Sequence, residues 1–256
     1  MSVRALLVVL LATTIAAAQK RTYDLIKPPG APKRAPLLVA LHCHHCSPSL
    51  LPDRLGLEAL ARKHGFVVAV PSGEIDVKGA RFWNATEACC DFYGKKPDDV
   101  GYVLGVIDEL LASGVADPKR VYLVGFSNGG FLAHRIACDH ADKIAAIVSI
   151  GASGPLTCKP SAPVAVLEIH GSGDTVVPAA GGKLGEGLPQ IATFPSVRAA
   201  LDDWAKIDGC AAPDASGRRS CARGAVELWM LPGEHWPEVG ADFGERLWRW
   251  LAPRHK

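Results

Sequence analysis

From Leu37 onward the chain alternates short, continuous apolar runs with longer stretches whose apolar residues recur at helical spacing. The runs are Leu37 to His42, Phe66 to Val70, Val121 to Val124, Ile144 to Ile150, Val164 to Ile169 and Ala225 to Leu231. A strand that is apolar along its whole length must be covered on both faces, which predicts a mainly parallel sheet between two helical layers. The helical stretches are Leu51 to His64, Val100 to Leu111, Phe131 to Cys138, Val197 to Ile207 and a closing helix from about Phe243. Asp98-Asp99 reads as a helix cap, and Gly65 and Gly114 read as helix stops. Ligands of such sheets bind beyond the carboxyl ends of the strands, so the residues just past each run are the ones to search for chemistry.

One of those junctions holds Gly125-Phe126-Ser127-Asn128-Gly129, between the predicted strand ending at Val124 and the predicted helix near Phe131. A serine on that strand-to-helix turn projects its hydroxyl above the sheet, and the flanking glycines let the two backbones approach closely. This predicts an α/β-hydrolase fold with Ser127 as nucleophile. A serine hydroxyl needs a base, and the base needs an orienting acid. In this fold they follow in the order serine, acid, histidine. Of the later histidines, His134 and His140 belong to the helix after the nucleophile and read as structural or solvent-facing. His255 lies in a polar tail, and His170 precedes the plausible acid. His235, just after the last strand, is the predicted base. Asp174, just after the run Val164 to Ile169, is the predicted acid. Asp202 and Asp203 sit within a helix, Asp208 and Asp214 flank a cysteine loop, and Glu168 inside a strand is a weaker rival. Two backbone N–H groups must face the developing oxyanion. One is expected from Asn128, the other from Cys43 or His44 after the first apolar run.

The compartment is set by the N-terminus and the cysteines. Arg4 precedes an apolar stretch from Ala5 to Ala17, and Ala16-Ala17-Ala18 offers small residues before Gln19, the pattern of a cleaved secretory signal. The stretch is shorter than the ~20 residues of a spanning helix. Residues 1–18 are therefore expected to be a signal and 19–256 a single catalytic domain, of a size one large core can serve. A formal net charge of +2 provides no chain-wide footprint for nucleic acid. Eight cysteines in an exported chain point to disulfides. The expected location is extracellular or periplasmic.

Taken with Trp83, Cys89-Cys90, Asp98-Asp99-Val100-Gly101, Asp117-Pro118-Lys119-Arg120-Val121-Tyr122, Trp204 with Gly209-Cys210 and His235-Trp236-Pro237, these motifs resemble polyhydroxybutyrate-depolymerase-type esterases. That family is similar to feruloyl and acetylxylan esterases and other carbohydrate-esterase-family-one-like α/β-hydrolases. The resemblance runs from about Tyr23 to Trp250. It implies a serine esterase with its triad on Ser127, Asp174 and His235, acting without a cofactor or bound metal. Its expected partner is a small or oligomeric ester substrate. Neither nucleic acid nor, after signal cleavage, a membrane is expected as a partner, and the expected state is a monomer. The chain departs from the family at Leu41-His42-Cys43-His44-His45-Cys46, where a glycine usually follows the histidine. Either the turn is accommodated without glycine or the oxyanion hole is altered.

The same segment supports a second reading. Cys43 and Cys46 at C-x-x-C spacing, with His44 and His45 between, are soft ligands suited to zinc or copper in a catalytically silent protein. Oxidation to disulfides is the simpler fate. Adjacent Cys89 and Cys90 across a trans peptide lie ~3.8 Å apart at Cα, below the usual disulfide range. Cys43 or Cys46 is therefore expected to pair with one of them, alongside Cys138–Cys158 and Cys210–Cys221. Trp83 and Trp236 are candidate pocket residues, and Asn84-Ala85-Thr86 matches a glycosylation sequon. The glycine-rich stretch from Pro178 to Pro195 reads as a loop.

Overall fold

The computed structural model describes residues 21–154, 158–184, 186–187, 189, 191–222 and 224–256. The expected signal segment, and Gly185 of the glycine-rich stretch, lie outside them. In chain order the elements are β1 (Tyr23–Ile26), β2 (Ala35–Leu41), α1 (Leu50–Leu55), α2 (Leu57–His64), β3 (Val67–Pro71), β4 (Glu74–Ile75), β5 (Arg81–Phe82), α3 (Asp99–Ala112) and β6 (Ala116–Phe126). They continue with α4 (Asn128–Asp139), β7 (Ala146–Ile150), β8 (Ala165–Gly171), β9 (Gly182–Leu184), β10 (Ala192–Phe194), α5 (Val197–Asp208), β11 (Val226–Leu231) and α6 (Phe243–Leu251).

Seven strands form one sheet in the order β1-β3-β2-β6-β7-β8-β11. Only β1 runs antiparallel to its neighbour; the other pairings are parallel. The alternating side chains of each central strand feed two separate cores. Leu37, Val39 and Leu41 of β2 face α3, α4 and α5, packing with Ile107, Phe131, Leu201 and Trp204. Leu38 and Ala40 face the other way, toward α1, α2 and α6, with Leu51, Leu60, Phe243 and Trp248. Each large apolar side chain so buried contributes about 1.5–3 kcal/mol. This two-sided burial is why the strands read as continuous apolar runs, and it bears out the predicted α/β-hydrolase architecture.

Three departures have local causes. The stretch predicted as one helix from Leu51 to His64 is two, because Gly56 adopts a left-handed conformation (φ 61°) that ends α1 and starts α2. The Pro178-to-Pro195 stretch is not all loop: β9 and β10 pair antiparallel within it. The Asp98 cap is as expected, its carboxylate accepting the Gly101 N–H at 2.8 Å. No described helix is long and apolar enough to cross a membrane.

Candidate active site

Ser127 follows the last residue of β6 and precedes the first of α4, and its backbone takes φ 53°, ψ −119°. A non-glycine residue there stores about 1–3 kcal/mol of strain, retained only where the surroundings fix it. Here the Ser127 N–H donates to the Ile150 carbonyl at 2.8 Å, while the Ser127 carbonyl accepts from Gly130 and Phe131 at 2.8 and 3.1 Å. The neighbouring glycines are required by contact: a Cβ on Gly125 would overlap the Gly129 carbonyl, and one on Gly129 would overlap the carbonyls of Leu41 and His42. The helix thus starts against the end of β2, whose continuation carries Cys43.

Asp174 lies past β8 and is buried. Its Oδ1 accepts the Val176 and Val177 N–H groups, both at 2.9 Å, and its Oδ2 lies 2.8 Å from Nδ1 of His235. Burial alone would raise its pKa, but hydrogen bonds from His170, His235 and the Val177 N–H outweigh that and hold it well below the usual carboxylate range. His235 sits in the loop after β11, and that loop packs on the end of β7. A Cβ on Gly151, itself at φ +59°, would lie 2.9 Å from the His235 carbonyl. Ser127 is tied to Ile150 and His235 rests on the next residue, so the two converge at one strand end. The Phe126 and His235 rings are 5.0 Å apart. The structure therefore brings Ser127, Asp174 and His235 together at the carboxyl edge of the sheet.

The opposite wall is the segment after β2. His42 is fully buried and fixes that wall through both ring nitrogens and its carbonyl. Its Nε2 accepts the Gly73 N–H at 2.9 Å, so the hydrogen is on Nδ1, which donates to the Cys43 carbonyl at 2.8 Å. Burial, with the nearby Arg81 and His44, pushes its pKa down to about 4 despite the Cys43 carbonyl. The His42 carbonyl accepts the Trp83 indole N–H at 2.9 Å, and the two rings stack with centroids 4.6 Å apart. Among the described residues the N–H groups of Asn128, Cys43 and His44 find no hydrogen-bond acceptor. Asn128 serves a second purpose: its side chain bonds the Trp83 N–H at 2.7 Å and the Trp83 carbonyl at 2.9 Å.

Three expectations are corrected. Trp83 is fully buried, so it is a brace behind His42 and not a pocket wall. Trp236 is partly exposed beside the site, edge-on to Phe126 with centroids 4.9 Å apart. Cys43 bonds to Cys46, and Cys89 bonds to Cys90, in place of the expected cross-pairing. The Cα atoms of Cys43 and Cys46 are 5.2 Å apart, within ordinary disulfide range, so these two close on each other within their own turn and Cys89 and Cys90 are left to pair as neighbours. Cys138–Cys158 and Cys210–Cys221 pair as expected. The metal reading of the Cys43-to-Cys46 segment fails on the same fact, because both sulfurs are bonded to each other and neither is a thiolate ligand. Of the two imidazoles in that segment, His44 stands edge-on to His45 and to Phe92. The Asn84 side-chain N–H donates to the Pro97 carbonyl, so the sequon amide is engaged within the fold.

Residues that the sequence did not single out complete the site. His42 and the Asn128 side chain are two. Behind Asp174 lies a buried polar chain of His170, Glu168, His134 and Trp204. Glu168 and His170 are two residues apart on β8, but His134 is 34 residues from Glu168 and Trp204 is 70 from His134, and no local motif links all four.

Residues 21–181 match the family described as esterase PHB depolymerase. Feruloyl esterase B of Piromyces equi is 32% identical over 191 residues, which is 70% of this chain and 33% of that protein. Poly(3-hydroxyalkanoate) depolymerase C of Paucimonas lemoignei is 31% identical, over 62% of this chain and 37% of that one. The chain thus spans half or less of the length of the curated relatives it matches. Among solved structures, an acetyl xylan esterase from Aspergillus awamori superimposes with a TM-score of 0.63 at 15% identity, covering 90% of this chain and 93% of that one. At that identity the likeness speaks for the fold.

Proposed function

The chain belongs to the esterase PHB depolymerase family, and from that premise we propose that it is an exported carboxylic ester hydrolase working through an acyl-enzyme on Ser127. The observation that carries the reading is the Asp174–His235 hydrogen bond of 2.8 Å beside a serine held at φ 53°. Asp174 binds Nδ1 of His235, leaving Nε2 as the proton acceptor. His235 takes the Ser127 proton as the Ser127 oxygen attacks the ester carbonyl. The oxyanion is received by the backbone N–H of Asn128 and of Cys43 or His44, donors that have no other acceptor among the described residues. The C–O bond to the alcohol breaks, and the alcohol leaves with the proton held on His235. Water, activated by the same histidine, then releases the acid and restores Ser127.

The relatives support a choice of substrate class. Feruloyl and acetyl groups on polysaccharide, and oligomers of 3-hydroxyalkanoates, are the esters we assign. Trp236 and Phe126 form an apolar flank beside His235 for an acyl or aromatic group. Export is supported by four disulfides, which persist in oxidising compartments. Labelling with a fluorophosphonate tests the reading. The wild-type protein is expected to be modified on Ser127 and to hydrolyse methyl ferulate or p-nitrophenyl acetate, and Ser127→Ala to do neither. Modification elsewhere, or none in folded wild-type protein, overturns it.

A further inference from the structure

Asp174 has a second histidine on it. His170 of β8 is fully buried, its Nε2 lying 2.7 Å from the Val177 carbonyl and 3.2 Å from Oδ2 of Asp174. Its other nitrogen, Nδ1, lies 3.2 Å from Oε1 of Glu168, which is also buried. The polarity of this chain can be fixed from its far end. An indole N–H only donates, and that of Trp204 points at Nδ1 of His134 at 3.2 Å, so His134 carries its hydrogen on Nε2. That Nε2–H faces Oε2 of Glu168 at 3.3 Å, and the Ala152 N–H reaches Oε1 at 3.3 Å. Glu168 therefore receives donors on both oxygens, the pattern of an ionised carboxylate. His170 in turn has only acceptors around it: the carboxylates of Glu168 and Asp174 and the Val177 carbonyl.

We propose that His170 is a permanent imidazolium that positions the catalytic carboxylate, held by both ring nitrogens between Glu168 and Asp174. This rests on Asp174 and His235 being the acid and base of the ester-hydrolysing site. Two consequences follow. His170 takes Oδ2 of Asp174 from one side while His235 takes it from the other, so the carboxylate cannot turn away as His235 moves to and from the serine. Its charge also offsets part of the negative potential under His235, so His235 surrenders the proton to the leaving alcohol more readily. The titratable groups packed around it are Glu168 on β8, Asp174 beyond β8, His134 on α4 and His235 beyond β11. Burial alone would lower its pKa, but the hydrogen bonds to Asp174 and Glu168 and the Glu168 charge prevail and hold it up at about 10. His170 does not touch the reacting atoms; it acts through Asp174.

Nitrogen-15 imidazole NMR on the full-length mature protein reads the charge without any turnover. One ring is expected to keep both N–H protons at about pH 8.5, well above the ordinary imidazole range, and its signals are expected to vanish in His170→Gln. In that variant the acidic limb of the kcat/KM profile is expected about one unit higher, because a cation sharing a carboxylate with His235 has been removed. The same variant should lose about tenfold in kcat with KM changed less than about twofold. A merely structural role would lower activity without moving the limb. Glu168→Gln is the second variant: with its counter-charge gone, the His170 ring is expected to lose one proton below about pH 8.5. A singly protonated His170 in the wild type at that pH overturns the proposal, as does an unmoved limb in His170→Gln. If fluorophosphonate labelling fails while the ring is doubly protonated, it is the esterase reading that falls and not the charge on His170.

Discussion

Trp83→Phe separates two roles for this tryptophan, pocket wall and loop brace. The phenyl ring keeps most of the stacking on His42 but has no N–H to offer the His42 carbonyl, now bound at 2.9 Å. Leaving that buried oxygen without its donor costs about 1–3 kcal/mol. The smaller ring in a fully packed position adds about 1 kcal/mol of lost contact and cavity. Together they predict a loss of about 3 kcal/mol, which in a domain of this size lowers Tm by about 6–12 °C. The loss is local to the wall that supplies Cys43 and His44, so kcat is expected to fall about tenfold, a fraction of what deleting an oxyanion donor costs. Substrate does not reach a buried indole, so KM is expected to stay within about twofold. Differential scanning calorimetry and initial rates on a soluble acetyl ester are the assays. An unchanged Tm with a raised KM would refute the brace and reinstate Trp83 in the pocket.

Gly129→Ala places a Cβ into the Leu41 and His42 carbonyls, and is expected to abolish fluorophosphonate labelling, whereas Gly105→Ala on α3, where no atom lies within 4 Å of the added Cβ, should stabilise by about 0.5–1 kcal/mol in urea titrations. Stability should peak near neutral pH through two buried histidines. His42, lowered from 6.5 to about 4, makes the protein lose stability as pH falls between those values, and His170, raised from 6.5 to about 10, makes it lose stability as pH rises between those values. The His42 share is about 3 kcal/mol at the acid end, and denaturant midpoints across pH are the check; a flat profile from pH 4 to 10 would contradict both assignments. Replacing Cys43 by glycine together with Cys46→Ser restores the residue usual at this turn but opens a short covalent loop, and is expected to cost about 2 kcal/mol by denaturation and to lower kcat.

How much of this was legible in the sequence depends on the range of the interaction. The central strands were, because two-sided burial leaves an unbroken apolar run, as in Leu37 to Leu41. β1 was not: its residues Tyr23 to Ile26 are half exposed, it pairs only with β3 at the sheet edge, and only Tyr23 and Ile26 reach the cores. Ser127 was legible because the elbow is made within five residues, and Asp174 and His235 because they sit just past strands in a fixed order. The chain from Trp204 through His134 and Glu168 to His170 was not: Trp204 to His134 is made between two helices and His134 to Glu168 between helix and strand, and the Glu168–His170 pair, two residues apart on β8, carries no signal without them. Glu168 was weighed only as a rival acid; in the fold it stabilises the histidine behind the acid.

The turn after β2 shows why glycine is dispensable there. A glycine is needed where φ must be positive or where a Cβ would collide. Cys43 is not among the positive-φ residues; the left-handed conformation falls on His45, at φ 62°, whose N–H donates to the Arg81 carbonyl at 2.9 Å. The turn is instead clamped at both ends. His42 holds the Cys43 carbonyl through Nδ1, and the disulfide to Cys46 closes the loop. A glycine turn would reach the same place with more freedom to leave it. Under the mechanism proposed above, the Cys43 and His44 N–H groups are held in advance of the oxyanion, which is the condition for backbone donors to act without reorganising. The cysteine therefore trades conformational latitude for a fixed wall, and that trade requires an oxidising environment to persist.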